Sequence, residues 1–173
     1  WNGVSGSGGT ESESGTPTLS ASGSGSLSGT TLSYGNNTST SSRTTRVTAS
    51  YGGSSNYCDI TQSAGSKTYS SWGAWTITLT ANPTTIAAAG GNSTLSTSAT
   101  RSRTWQWNGT GTTYTEQGSG TPTLSKVSGA ASLNDKTVSY GNNTSTSSRS
   151  SVFRATIDSI TKDITISQSA GAK

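Results

Sequence analysis

The chain has 173 residues, a formal net charge of +4, only 27% hydrophobic and 10% charged residues, and 37 Ser, 33 Thr and 22 Gly, a balance close to that of a disordered polypeptide. Its basic residues are scattered singly from Arg43 to Lys173 rather than gathered in a stripe that could follow a phosphate backbone, which argues against nucleic-acid binding. The longest apolar run, 86–89, falls far short of the ~20 residues a membrane span requires, and the lone Cys58 excludes an internal disulfide.

A repeat decides the organisation. The string Ser-Tyr-Gly-Asn-Asn-Thr-Ser-Thr-Ser-Ser-Arg at 33–43 returns unchanged at 139–149, 106 residues later. That period is too long for a solenoid unit and matches one β-sandwich of ~100 residues. Trp1-Asn2-Gly3 is matched by 107–109, Gly15 to Ser20 by 120–125, and Gln62-Ser63-Ala64-Gly65 by 168–171. Two modules are therefore expected: a partial one at 1–66, a polar linker at 67–70, and a complete one at 71–173. Within them the few apolar residues alternate with Thr and Ser, as strands with one buried face require.

In chain order, the glycine-rich run 3–9 reads as a flexible loop, since it lacks the Gly-Lys-Ser/Thr ending of a phosphate loop. After the first repeated turn, Val47, Ala49 and Tyr51, then Cys58, Ile60 and Gln62, read as a hairpin. Cys58 stands where the second module has Ile164, so a buried core thiol is expected. In the second module Trp75, Ile77 and Leu79 alternate with Thr in a first strand that Asn82-Pro83 ends. A short edge segment follows around Ile86, then a Gly90-Gly91 turn. A long strand or bent pair comes next at 92–107, with Leu95, Thr97, Ala99, Trp105 and Trp107 in step. Leu124 and the stretch from Leu133 to Tyr140, with Val138 and Tyr140 on one face, lead to the second repeated turn. Phe153, Ala155 and Ile157, then Ile164, Ile166 and Gln168, form the final hairpin.

The first module has no counterpart of 71–106, which carries the first strands of the second. It is expected to expose a sheet edge and the apolar residues beneath it, Leu32, Val47, Ala49 and Ile60. The chain opens on Trp1, and the missing strands are expected from upstream residues of a longer polypeptide or, as the alternative, from a neighbouring subunit.

Residues that could carry chemistry are few. The seven carboxylates include Glu11 and Glu13, set in a Gly/Ser loop whose counterpart keeps only Glu116, so a facing acid/base pair is not expected. The absence of His removes a Ser-His-Asp triad and the commonest metal ligand, and no calcium-loop spacing exists. No enzyme activity, cofactor or metal is expected. Asn-x-Ser/Thr sequons arise by chance at this composition. Aromatic rings that stack on sugars are concentrated in the second module's first half, making Trp72, Trp107 and Tyr114 candidate glycan contacts. A core poor in aliphatics also needs large side chains, so at least two of Trp72, Trp75, Trp105 and Trp107 are expected to be buried. Asn37, Arg43, Asn143 and Arg149 are expected to hold the repeated turn, each Arg donating to unpaired backbone carbonyls.

The order Trp-x-Trp after a Ser/Thr strand, the Asn-x-Ser-x-x-x-Arg turn, an alternating strand and a terminal Ile-x-Ile-x-Gln-Ser-Ala-Gly resembles the BACON family of immunoglobulin-like domains. The matching positions are Trp105, Asn143, Ser145, Arg149, Ile164, Ile166, Gln168 and Gly171, with Asn37, Ser39, Arg43, Cys58, Ile60, Gln62 and Gly65 in the first copy. The resemblance implies an all-β fold of tandem immunoglobulin-like sandwiches, seven or eight strands each, the first lacking its N-terminal strands. It also implies an extracellular setting, on surface proteins of gut Bacteroidetes or the virions of their phages. The expected function is a non-enzymatic stalk or fibre segment whose partners are neighbouring modules or subunits; the alternative is a module binding mucin-type glycans.

Overall fold

The computed structural model describes residues 12–108 and 110–172. The match at Trp1-Asn2-Gly3, the run 3–9, Glu11, Gly109 and Lys173 lie outside the described residues. The described residues form strands, turns and coil without a helix. They divide into two compact units: Trp1–Thr68 with Trp107–Thr110, and Tyr69–Gln106 with Gly111–Lys173.

In the first unit, β1 (Thr18–Gly23), β4 (Arg43–Tyr51) and β5 (Ser54–Gln62) make a three-stranded antiparallel sheet in the order β1-β4-β5. A small hairpin, β2 (Ser26–Ser28) with β3 (Thr31–Ser33), sets Leu27 opposite Leu32. The register places Val47 opposite Cys58 and Thr45 opposite Ile60, so the apolar residues of β4 and β5 share one face. Among the described residues of this unit the small β2–β3 hairpin and its flanks cover part of that face, Gly25 N–H donating to the buried Thr45 Oγ1 at 2.7 Å and the Tyr34 hydroxyl to the Ile60 carbonyl at 2.6 Å. Val47 and Ala49 are half-buried, and Ile60 is 40% exposed.

Cys58 is exposed, which corrects the expectation of a buried thiol. Its strand position, opposite Val47, does face the side that is the core in the other copy, but here that position is left exposed. The stretch 67–70 also departs from a free linker. Residues Lys67–Tyr69 form strand β6, which pairs with β9 (Gly91–Trp107), and Ser70 N–H donates to the Thr104 carbonyl at 2.9 Å. Its polar sequence concealed an edge strand that needs no apolar face.

The second unit is two sheets closed on one core. The first is built around the seventeen residues of β9, which pairs with β7 (Thr76–Asn82), β10 (Tyr114–Gly120) and β13 (Thr137–Tyr140), with β12 (Ser132–Asn134) beyond β13. The second runs β11 (Thr123–Gly129), β14 (Arg149–Ile157), β15 (Ile160–Gln168) and β8 (Thr85–Ile86), the last joining in parallel. Inward residues of both sheets meet in the core: Ile86, Leu95, Val138, Tyr140, Phe153 and Ile166, with Ala131 beside them. Their period-two spacing is what the alternating sequence dictates.

The duplicated hairpins are thus the same strands in unlike surroundings. Ile166 is fully buried while its counterpart Ile60 is not. Ile166→Ala is expected to destabilise the second unit by about 2–5 kcal/mol through lost transfer energy and a cavity. Ile60→Ala is expected to cost the first unit about 1 kcal/mol or less. Urea unfolding of the two variants measures the difference, and equal losses would contradict this assignment of burial.

Candidate functional site

The repeated turn is built identically in both units. Asn143, 3% exposed, turns its side-chain amide inward and donates to the carbonyls of Ser147 at 3.0 Å and Ser169 at 2.8 Å, while its oxygen accepts the Ser145 N–H. Asn37, also 3% exposed, does the same with Ser41 at 3.0 Å, Ser63 at 2.8 Å and the Ser39 N–H. The turn therefore holds the end of the last strand by side-chain bonds where no ladder reaches. Gly171 N–H donates to Ser145 O, and Gly65 N–H to Ser39 O, each at 2.7 Å. A Cβ at Gly171 would collide with the Asn143 carbonyl oxygen, and one at Gly65 with that of Asn37, which is why the Gln-Ser-Ala-Gly ending closes on glycine.

Each turn ends in an arginine that donates through Nε and Nη2. Arg149 Nε donates to Gln168 Oε1 at 2.6 Å, and its Nη2 to the carbonyls of Gly141 at 2.9 Å and Asn142 at 3.3 Å. Arg43 reaches Gln62 Oε1 at 2.7 Å and the Gly35 carbonyl at 2.5 Å. Tyr140 and Tyr34, at the turn's start, donate to the carbonyls of Ile166 and Ile60. Asn37, Arg43, Asn143 and Arg149 are placed as hydrogen-bond hubs of the fold.

The aromatic residues of the second unit form a different arrangement. Along β9, Arg101, Arg103 and Trp105 point to one face, and against them lie rings from 69–75. The Arg101 guanidinium carbon is 4.2 Å from the Trp75 ring centroid and 4.8 Å from that of Trp72. That of Arg103 is 4.4 Å from Trp72 and 4.0 Å from Tyr69. Cations and rings thus alternate as Trp75, Arg101, Trp72, Arg103, Tyr69, an arrangement in which each ring face meets a positive charge. Trp105 stacks on Tyr114 with centroids 4.5 Å apart.

Cross-strand partners on β10 complete this ladder. Glu116 lies opposite Arg103 and accepts its Nε at 2.6 Å. Opposite Arg101 is Gly118, where a Cβ would stand 3.2 Å from two atoms of the Trp72 ring; one at Gly120 would be 2.5 Å from Ile157 Cδ1 and 2.9 Å from Trp75. The glycines clear the space the indoles occupy. Trp75 Nε1 also donates to Asp158 Oδ2 at 2.7 Å, tying this region to the β14–β15 turn.

None of Trp72, Trp75, Trp105 and Trp107 is fully buried; all four are half-buried. This corrects the expectation of at least two in the core. Phe153, Leu95 and Ile166 fill the interior, and Trp72 and Trp75 instead pack against the guanidinium groups of Arg101 and Arg103.

Of the candidate glycan contacts, Trp72 and Tyr114 lie on this same ladder, Trp72 against both arginines and Tyr114 at its rim, 43% exposed. Trp107 belongs to the first unit, with Lys67 Nζ 5.3 Å from its ring. The residues that sequence reasoning passed over are Arg101, Arg103 and Glu116. Their signal was present in the period-two run Arg101-x-Arg103-x-Trp105-x-Trp107.

Two further carboxylates serve as ion-pair partners. Arg46 holds Asp59 by two hydrogen bonds of 2.8 Å, and Arg154 holds Asp163 by bonds of 2.7 and 2.8 Å. Those bonds keep both carboxyls below the usual carboxylate range. Among the described residues no three His, Cys, Asp or Glu side chains could hold a metal ion. No protein-family model, curated protein or solved structure matches the chain.

The turn geometry makes a definite claim about Arg149. Arg149→Lys keeps the charge but loses the planar fork, so it is expected to cost the second unit about 1–3 kcal/mol in denaturant unfolding. A loss below about 0.5 kcal/mol, the range of ordinary surface substitutions, would contradict a structural role.

Proposed function

We propose that this chain is a non-enzymatic structural segment of tandem immunoglobulin-like modules of the BACON-like kind, displayed outside the cell as part of a stalk or fibre on a phage virion or bacterial surface. The observation that carries the reading is the use to which the duplicated residues are put. Tyr34, Gly35, Asn37, Ser39, Ser41 and Arg43, and their counterparts 106 positions on, all take part in hydrogen bonds that hold strand ends together. Six of the eleven residues repeated without change are thereby accounted for by the fold, as expected of a module whose product is its own shape.

Four of the six described carboxylates support the same reading. Asp59, Asp163 and Glu116 each neutralise an arginine, and Asp158 accepts the Trp75 indole. A carboxyl held ionised against a guanidinium is poorly placed to give up or carry a proton near neutral pH.

A second reading, a module binding mucin-type glycans, is favoured by one feature: the Trp105–Tyr114 stack ends in an exposed tyrosine ring. Against it, Trp72 already has a guanidinium within 5 Å of its centroid from each of two arginines, which occupy the space a sugar face would need. Titration with mucin and plant glycans, read by tryptophan fluorescence, separates the two. The structural reading expects no saturable change with any of them. A saturable change that Tyr114→Ala removes would establish the glycan reading in its place.

A further inference from the structure

Among the strands of the second unit that have no counterpart among the described residues of the first, one lies along the outer edge of the final hairpin. In the second unit β8 runs parallel beside β15, with Thr85 opposite Ser167 and Ile86 opposite Gln168. The Ser167 N–H donates to Thr84 O at 3.0 Å, Ser169 N–H to Ile86 O at 2.9 Å, and Asn143 N–H to Ala88 O at 2.7 Å. Gln168 Nε2 adds bonds to the carbonyls of Ala87 and Ala88, both at 3.1 Å, besides the one to Gly141. The segment 84–89 is therefore read by the edge of β15, by the turn asparagine and by the strand's terminal glutamine together.

The first unit carries the same donors in the same register: Thr61, Ser63, Asn37 and Gln62. Among the described residues no strand lies on the outer edge of β5, and Gln62 Nε2 donates to Gly35 O alone. The neighbouring face is apolar and only partly covered: Thr45 is buried, Val47 and Ala49 are half-buried, and Cys58 and Ile60 are exposed. Val47, Ala49, Cys58 and Ile60 stand where Phe153, Ala155, Ile164 and Ile166 stand in the other unit, and Ile60 is 40% exposed where Ile166 is 0%. The turn meanwhile is equally formed in both, Asn37 and Asn143 each being 3% exposed. A preformed edge with aligned donors beside an open apolar face is the arrangement that accepts an added strand.

We propose that the outer edge and open face of the β1-β4-β5 sheet are a strand-acceptor site. Its ligand is an extended peptide segment of the chemistry of residues 76–89: Thr alternating with Ile and Leu, then a run of small apolar residues lying parallel to β5. Its carbonyls take the N–H groups of Thr61, Ser63 and Asn37 and the amide of Gln62, while its aliphatic side chains cover Ile60, Val47 and Cys58. This inference rests on the reading of the two units as copies of one module, and it adds an interaction to the open copy.

Cys58, the only cysteine, sits on the open face and reports occupancy directly. The full chain is treated with an aromatic disulfide reagent, alone and with rising amounts of a synthetic peptide of the sequence 76–90. The site expects saturable slowing of thiol modification, about tenfold or more at saturation, the equivalent of a tenfold shift in an opening equilibrium. The peptide with Thr85→Pro and Ile86→Asp is expected to have no effect. The chain variant Ile60→Lys, altered at an exposed position and so expected to fold, should lose the slowing while keeping its β-sheet circular dichroism.

Three results overturn the proposal. One is a rate that the peptide does not change, or that both peptides change alike. Another is a thiol already protected in the chain alone, which would make residues 1–11 the occupant. The last is protection that grows with chain concentration together with dimer formation in sedimentation, which would make a second copy the occupant. A flat peptide titration removes the acceptor site only; the structural reading of the modules fails on saturable glycan binding instead.

Discussion

The end of each module depends on one hydrogen-bonded lock: a buried asparagine, an arginine and the glutamine of the last strand. Sheet ladders satisfy backbone groups only where strands run side by side, and every module must also close the carbonyls left over where its last strand leaves the sheet. Here Asn143 takes the Ser169 carbonyl just past the last strand and that of Ser147 in the turn, and Arg149 takes those of Gly141 and Asn142 in the turn. Because Gln168 receives the arginine and passes its own amide on to neighbouring carbonyls, the three side chains act as one unit. The same lock stands in the first unit, so its geometry does not require a filled core behind it.

A protein with so few aliphatic residues meets a second constraint, namely what to put between and around its sheets. The second unit answers with a small apolar core and an alternation of indoles and guanidinium groups along β9. Large flat side chains bury area without needing a deep interior, and arginine stems cover what the rings leave. The arrangement needs space on the facing strand, which Gly118 and Gly120 supply, and a counter-charge, which Glu116 supplies. The Ser- and Thr-rich composition that reads as disorder is thus the outer surface of a thinly filled all-β fold.

What could be read in advance followed from local periodicity. The final hairpin, with Phe153, Ala155 and Ile157 facing inward, the strand holding Ile77 and Leu79, and the short edge at Ile86 are each visible because burial on one face imposes a period of two. Strand β10 was not visible. On one of its faces Glu116 meets Arg103, while Gly118 and Gly120 make room for Trp72 and Trp75, rings contributed from about forty-five residues earlier, and no local pattern carries that information. Cys58 and the tryptophans show the same limit from the other side. Cys58 has the right strand position but is left exposed, and Trp72 and Trp75 have the size of core residues yet pack against arginines. Burial is decided by what lies opposite, and a single strand's sequence does not contain its opposite. The donor set of the repeated turn was foreseeable because all its partners lie within the repeated motifs themselves.

The central claim is that the lock forms in each unit from the residues of the repeat, whether or not a second sheet covers the adjoining face. Amide hydrogen exchange at Gly65 and Gly171, whose N–H groups make the equivalent bonds to Ser39 and Ser145, tests it most directly. The account predicts slow exchange at both glycines, well below the rate of an unstructured peptide. Protection at Gly171 with free exchange at Gly65 would show that the lock depends on the covered core, and would contradict the account.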